Sequence, residues 1–175
     1  TVSVARRIRS SLPSGSDERI LRATETVLRR GIAGVTLLGP AAEIRRRVAE
    51  LGLHLDDAEI VDPAGPDTEA LRERFATVYA AARAHKGMTV ESARDVVVDP
   101  CYFGTLMVRE GLADGLVSGA AHTTAHTLRP AFEVIRTAPV TAIVSSVFFM
   151  CLAGRVLDYG ECAVIRNPDA GQLAD

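Results

Sequence analysis

Short apolar segments alternate with amphipathic helical segments along the first third of the chain, and this order constrains the fold more than any other feature. Residues 17–30 carry apolar side chains near helical spacing and are followed by Gly31, which is typical of a helix end. Residues 35–38 then predict a short strand, residues 41–51 a second amphipathic helix, and residues 60–61 another brief strand. Strands and helices that alternate through short turns predict a parallel sheet with helices on its faces.

The later part of the chain continues this alternation. Apolar periodicity predicts helices over residues 68–85, 89–98, 102–110 and 127–137, and strands over residues 115–118, 143–151 and 161–165. We divide the helical run at Pro100 because proline is tolerated in the first turn of a helix but not in its interior. With 175 residues and 47% hydrophobic content, the chain can bury one sizeable core and the beginning of another. We expect an α/β domain over residues 1–140 and the incomplete start of a second α/β domain over residues 141–175.

Charge and cysteine content limit the partners and the compartment. The 20 basic and 22 acidic residues give a net charge of -2 without a basic tract, which leaves no electrostatic footprint for nucleic acid. The three cysteines, Cys101, Cys151 and Cys162, show no C-x-x-C spacing, and the N-terminal segment lacks the apolar core of a secretory signal. The longest apolar run, residues 141–154, is too short to span a bilayer. We expect a cytoplasmic protein without a membrane span.

Hydroxyl side chains and one arginine concentrate where a predicted buried strand ends and a helix begins, in the sequence SGAAHTTAHTLR at residues 118–129. Each hydroxyl alone could satisfy the backbone of a turn, and Arg129 could pair with a surface carboxylate. Their concentration beyond the carboxyl end of a parallel strand, where open sheets bind ligands, favours an anion site suited to phosphate. The residues that make up this candidate site are Ser118, Gly119, Thr123, Thr124, Thr127 and Arg129.

Two other arrangements allow different chemistry. His122 and His126 are four residues apart and could present two imidazoles to a metal, but no carboxylate or third histidine stands at a matching offset. A cysteine thiolate could carry an acyl group, yet the sequence supplies no evident base beside a cysteine, and buried packing is the commoner role. We therefore expect polar loop histidines, no metal and no covalent intermediate.

Several motifs resemble the phosphate acetyltransferase family in register along the chain. They are LPSGSDERILRA at residues 12–23, RGIAGVTLLG at 30–39, IVDP at 60–63, HKGMT at 85–89, VSGAAHTTAHTLRP at 117–130 and SSVFFM at 145–150. The resemblance implies a three-layer α/β/α fold with a mostly parallel sheet, of the isocitrate/isopropylmalate dehydrogenase-like type, here truncated. It also implies an apolar first strand, where this chain has the more polar RIRSSLPSG.

The resemblance assigns roles to individual residues. It implies that Arg129 contacts the phosphate-bearing substrate and that Arg83, which precedes HKG, lines the active-site cleft. From its position alone, Arg83 at a helix end would simply complement the carbonyl dipole. His122 matches a histidine of the family and joins the phosphate-binding residues, whereas His126 stands where the family usually has Asn or Asp.

The activity that the resemblance implies is reversible acetyl transfer between coenzyme A and inorganic phosphate, which gives acetyl phosphate. Coenzyme A and acetyl-CoA are then substrates, and no tightly bound cofactor is expected. The later motifs of the family, which bring an aspartate base and most coenzyme A contacts, have no counterpart in this sequence, so we expect this chain to be an inactive fragment. Uncovered apolar strands after residue 140 lead us to expect a homo-oligomer. Alternatives are an acetyl-CoA-sensing domain similar to phosphate acetyltransferases, as at the end of some malic enzymes, and phosphate butyryltransferase.

Overall fold

The computed structural model describes residues 9–139, 144–160, 164 and 169–171. The chain forms two compact units, Thr1–Ile135 and Arg136–Asp175. Among the described residues, no helix is both long enough and apolar enough to cross a lipid bilayer.

Strands and helices alternate through the first unit, as the sequence predicts. In chain order they are β1 (Arg9–Pro13), α1 (Glu18–Arg29), β2 (Gly34–Leu38), α2 (Ala41–Glu50), β3 (Glu59–Val61), α3 (Glu69–Arg83), α4 (Val90–Val97), α5 (Pro100–Arg109), β4 (Gly115–Leu116), α6 (Thr124–Pro130) and a π-helical turn (Ala131–Ile135). Pro100 occupies the first turn of α5, where its missing N–H costs nothing, and Asp99 caps that helix. The predicted division of the helical run at Pro100 is therefore confirmed.

The four strands of the first unit pair in the order β3-β2-β1-β4, and every pair is parallel. Successive residues of a strand point to opposite sides of the sheet, so this sheet has two apolar faces, and helices cover both of them. Leu37 of β2 packs with α1 and α2, through Leu21, Leu28 and Ile44. Leu38 packs on the other face, against α3, α4 and α5. The predicted three-layer α/β/α architecture with a parallel sheet is confirmed.

The segment that looked too polar for a first strand forms β1 in the middle of the sheet. Ser11 is fully buried there, and its hydroxyl donates to the carbonyl oxygen of Gly104 at 3.4 Å. A buried hydroxyl costs little when it has such a partner. Gly104 permits the contact, because a Cβ on it would lie 3.1 Å from Ser11 Oγ and 2.7 Å from Leu116 Cδ1. The polar residues of this strand are thus accommodated by a close approach of α5.

The second unit contains an antiparallel hairpin of β5 (Val147–Leu152) and β6 (Arg155–Gly160). Gly154 makes the tight turn with a φ of 82°, a region that favours glycine. The predicted strand at 143–151 is found a few residues later in the chain, while the strand predicted at 161–165 lies almost entirely outside the described residues. The strand that pairs with β5 is Arg155–Gly160, because the turn at Gly154 reverses the chain directly after β5.

Candidate active site

The chain connections on the two sides of β1 run in opposite directions across the sheet, and the candidate site lies between β1 and β4, where this direction changes. From β1 the chain continues to β2 and β3 on one side, whereas β4 pairs with the other edge of β1. The loops that leave the carboxyl ends of β1 and β4 therefore separate, and open parallel sheets bind ligands in the crevice that such a separation leaves. A pocket of about 360 Å³ opens there between the two loops, with Ser14, Gly15 and His122 in its lining.

The loop after β1 is held in a strained, closely packed conformation. Ser14 has a φ of 69°, which is uncommon for a residue with a side chain, and its Oγ lies 3.0 Å from His122 Nδ1. Gly15 approaches β2 so closely that a Cβ would lie 3.1 Å from the carbonyl oxygen of Leu38. Asp17 then caps α1, and the Arg19 guanidinium beside it lowers the pKa of that carboxyl to about 2.

The loop after β4 connects the predicted hydroxyl residues to the fold. Ser118 Oγ lies 3.2 Å from Thr127 Oγ1 and 3.5 Å from Cys101 Sγ, so a chain of weak polar contacts joins the loop to α6 and α5. Thr123 is the N-cap of α6, where its hydroxyl oxygen accepts the backbone N–H of His126 at 3.2 Å. Gly119 adopts a φ of 115°, in the region that favours glycine. Gly119 and Thr124 both remain exposed.

Arg129 lies in the last turn of α6, not in the first turn of a helix that begins near Thr127, as the predicted helix at 127–137 implied. The helix begins one turn earlier because Thr123 caps it, and Pro130 is accommodated inside it where the backbone passes into the π-helical turn. A guanidinium in the last turn complements the carbonyl dipole. The Arg129 side chain is exposed, and no hydrogen bond or ion pair joins it to any other residue that the structure describes.

Arg83, at the end of α3, belongs to a polar cluster around the Glu133 carboxylate. Arg83 Nη2 lies 3.3 Å from Glu133 Oε1, while the hydroxyls of Tyr79 and Tyr102 donate to Glu133 Oε2 at 2.7 and 3.0 Å. Burial, followed by the adjacent carboxylate, raises the pKa of both phenols. Arg83 Nε is buried without a partner among the described residues. Glu133 thus neutralises the charge that sequence reasoning assigned to substrate.

The two histidines of the loop lie against α5. Their rings stack with centroids 5.0 Å apart, and His126 Nε2 lies 2.9 Å from Asp99 Oδ2. One ligand atom from each of Cys101, His122 and His126 lies within 4.8 Å of the other two. Burial raises the pKa of the Cys101 thiol, the hydrogen bond from Ser118 opposes that shift, and the Asp99 charge adds to it. The sequence showed no carboxylate or third donor near the two histidines. In the structure these are Asp99, which caps α5, and Cys101 in the first turn of α5.

The structure brings together some of the predicted site residues and separates others. Ser118 contacts Thr127, while Thr123 caps the helix that carries His126, on whose ring His122 stacks. No hydrogen bond or ion pair between described residues connects Arg83 to Arg129 or to the loop after β4. Sequence reasoning did not assign Ser14, Asp99 or Glu133 to the site, and it considered Cys101 only as an acyl carrier, a role that it set aside in favour of buried packing. Of these residues, only Ser14 lies in a motif that carries the family resemblance, LPSGSDE. The others come together through contacts between α3, α5 and the loop, which local spacing does not encode.

These features define an α/β domain with a hydroxyl-rich loop at the switch point of a parallel sheet and an exposed arginine on the helix that follows this loop. The chain belongs to the phosphate acetyl/butaryl transferase family, whose sequence profile matches residues 4–175.

Individual relatives support this family membership. A phosphate acetyltransferase of Nitratidesulfovibrio vulgaris is 50% identical over 169 residues, which cover 97% of this chain and 24% of the relative. One of Corynebacterium glutamicum is 47% identical over 164 residues, or 94% of this chain and 49% of the relative. The chain therefore spans about half, or less, of the length of the curated relatives it matches.

Two solved structures share the fold. EutD phosphotransacetylase from Staphylococcus aureus superposes with a TM-score of 0.83 at 32% identity, over 96% of this chain and 50% of that chain. A phosphotransacetylase from Streptococcus pyogenes superposes with a TM-score of 0.81 at 34% identity, over 97% of this chain and 51% of that chain.

Proposed function

We propose that the protein containing this chain transfers an acetyl group reversibly between coenzyme A and inorganic phosphate. A phosphate oxygen attacks the thioester carbonyl, the carbon–sulfur bond breaks, and the products are acetyl phosphate and coenzyme A, whose sulfur takes up a proton. Coenzyme A acts as a substrate and not as a bound cofactor. The named relatives are phosphate acetyltransferases, and this supports the reaction.

The single observation that carries the proposal is the exposed Arg129 guanidinium, which has no hydrogen-bond or ion-pair partner among the described residues. Arg129 belongs to α6, the helix that follows the hydroxyl-rich loop and that Thr123 caps. A guanidinium binds phosphate oxygens in a bidentate manner, and hydroxyls can donate to the remaining oxygens. Ser118, Thr123, Thr124 and Thr127 are the donors we assign, with Gly119 and His122 completing the loop. The phosphate is held in place for attack, and this positioning provides much of the rate increase.

Arg83 is the second cation that we assign to the site. Its guanidinium is already paired with Glu133, so a substrate anion would have to share it or displace the carboxylate. The buried Arg83 Nε, which has no partner among the described residues, supports a role for a ligand in completing this cluster. In this assignment Arg83 contributes to stabilising negative charge on the reacting carbonyl oxygen or on the phosphate.

Replacing Arg129 tests the assignment. In the protein at its full gene-encoded length, Arg129→Gln is expected to lower kcat/KM for acetyl phosphate by about 100-fold, because a charge that stabilises the transition state is lost. Formation of acetyl-CoA from acetyl phosphate and coenzyme A is the measurement. Arg30→Gln is the matched control: Arg30 is also exposed, and it follows α1 at the end that points away from the ligand crevice.

Three outcomes would count against the proposal. Equal kcat/KM values for the two variants would remove Arg129 from the site, and a preference for butyryl phosphate over acetyl phosphate would assign the butyryl-transferring activity of the family instead. Detectable acetyl-CoA binding without any turnover would favour a regulatory, sensing role.

We further propose a cytoplasmic location and a homo-oligomeric state. The exposed apolar residues of the β5–β6 hairpin support the homo-oligomeric state.

A further inference from the structure

Three metal-binding side chains converge beside the hydroxyl-rich loop, although they come from different parts of the chain. Cys101 lies in the first turn of α5, His122 in the loop after β4, and His126 in α6. A ligand atom from each lies within 4.8 Å of the other two. We propose that Cys101, His122 and His126 bind one transition-metal ion, with Zn²⁺ as the ion that their chemistry fits best.

The identity of the donors selects the kind of ion. One sulfur and two imidazole nitrogens suit Zn²⁺, Co²⁺ and similar metals, whereas Mg²⁺ and Ca²⁺ prefer oxygen ligands. Donor atoms around a tetrahedral zinc ion lie about 3.5 Å apart, as follows from zinc–sulfur and zinc–nitrogen bonds of about 2.3 and 2.1 Å. Metal binding therefore requires the three ligand atoms, which now lie within 4.8 Å of one another, to move closer together.

Each of the three donors already has a hydrogen-bond partner of the kind that orients metal ligands. Asp99 Oδ2 lies 2.9 Å from His126 Nε2, Ser14 Oγ lies 3.0 Å from His122 Nδ1, and Ser118 Oγ lies 3.5 Å from Cys101 Sγ. A carboxylate that accepts one imidazole N–H fixes the tautomer and leaves the lone pair of the other nitrogen for a metal. The Asp99–His126 pair is the contact of this kind in the cluster, and it supports a metal-binding role for His126.

The environment of the cluster leaves a position open for a fourth ligand. Cys101 is fully buried, His122 is half-buried and His126 is exposed, so the site closes on one side and faces solvent on the other. Three protein ligands with a water in the fourth position are a common arrangement for zinc. The thiol must lose its proton on binding, and the ion itself drives that loss.

This inference goes beyond acetyl transfer and does not depend on it. The sequence led us to expect no metal, because no further donor stood at a matching offset from the histidines. The fold supplies Cys101 and Asp99 from α5, which sequence spacing could not show. A metal at this position would lie beside Ser118, one of the residues that we assign to phosphate.

Cobalt titration tests the site directly. We would use the 175-residue chain, freed of metal with a chelator, in a background where Cys151 and Cys162 are replaced by serine. Cys101 is then the only thiol, since the chain has three cysteines. The expected result is one Co²⁺ per chain, with the thiolate-to-cobalt charge-transfer band and the intense visible bands of tetrahedral coordination. Zn²⁺ should displace the cobalt and abolish both.

Three variants and one control assign the ligands. Cys101→Ser should abolish the charge-transfer band, and His126→Asn, at an exposed position, should weaken cobalt binding by at least about tenfold. Asp99→Asn should weaken it by about 10–100-fold, because an amide facing His126 favours the wrong tautomer while still capping α5. His54→Asn, which changes an exposed histidine elsewhere, should have no effect. Circular dichroism of the metal-free variants checks that each one folds.

The proposal is overturned by any of three results. They are the absence of retained cobalt after gel filtration, an octahedral spectrum without the thiolate band, or equal cobalt affinities in the parent, His126→Asn and Asp99→Asn proteins. Because all readouts are spectroscopic, a protein that binds cobalt as described but transfers no acetyl group would refute only the proposed activity.

Discussion

At the scale of single residues, Glu133 joins an arginine and two tyrosines in one polar cluster. Its carboxylate accepts hydrogen bonds from Tyr79 and Tyr102 and pairs with Arg83. Folding thus keeps both phenols protonated above their usual pKa, mainly through burial and also through the adjacent carboxylate. The folded state then binds more protons than the unfolded state at alkaline pH, so the stability contributed by these phenols is present below a pH of about 10 and is lost as the pH rises further.

Glu133→Gln tests this electrostatic link. Removing the carboxylate charge is expected to lower the pKa values of Tyr79 and Tyr102 without bringing them to their usual value, because their burial remains. Ultraviolet absorbance of the phenolates during alkaline titration measures the change, and the difference between variant and parent removes the contribution of Tyr159. Glu73→Gln, at an exposed carboxylate that pairs with Arg94, is the control and should leave the titration unchanged. Superimposable curves for all three proteins would disprove the link.

Residues of this candidate site differed in how far sequence could reveal them. The hydroxyls of the loop and Arg129 are close in sequence, and their position after a strand pointed to an anion site. Glu133 and Cys101 gave no such signal, because a carboxylate or a cysteine in an apolar helix is usually solvated or packed. The contacts of Glu133 depend on how α5 lies against the π-helical turn, and those of Cys101 on how α5 lies against the loop after β4, which only the folded chain defines.

At the scale of elements, capping decided where α6 begins. The sequence predicted a start at residue 127, but Thr123 caps the helix and moves its start to Thr124. Several hydroxyl residues in a row each offer a plausible cap, so local sequence could not choose between them. The strands β2, β3 and β4 and the long amphipathic helices, in contrast, were predicted to within a few residues, since their apolar pattern extends over the whole element, whereas the polar β1 gave no such pattern.

Two threonines that cap helices allow the loss of helix stability to be measured apart from the loss of phosphate binding. Thr123→Ala and Thr89→Ala each remove a side-chain acceptor, at the start of α6 and of α4 respectively. Both are expected to lower the free energy of unfolding by about 1 kcal/mol, as measured by urea denaturation. Only Thr123→Ala should also weaken phosphate binding in calorimetry, because only Thr123 belongs to the loop that we assign to phosphate. Equal loss of phosphate affinity in both variants would trace the effect to stability alone.

At the scale of the whole molecule, the second unit exposes an unusual amount of apolar surface. Phe148, Phe149 and Met150 of β5 are 52%, 69% and 47% exposed, and Val156 and Tyr159 of β6 are more than half exposed as well. An isolated two-stranded hairpin is only marginally stable in water, and large exposed apolar patches usually mark interfaces. Sequence reasoning led us to expect uncovered apolar strands after residue 140, but it did not show that Arg155–Gly160 is the strand that pairs with β5.

We therefore expect the 175-residue chain to associate with copies of itself in a concentration-dependent manner. Phe149→Lys replaces the most exposed aromatic side chain of the hairpin with a charged one. The variant should shift the chain towards the monomer, because burying a lysine ammonium in an apolar contact is unfavourable. Sedimentation velocity over a range of concentrations provides the measurement. Ile32→Lys is the matched control, since Ile32 is 59% exposed but belongs to the first unit. A monomeric parent chain, or an equal shift in both variants, would show that the hairpin does not drive association.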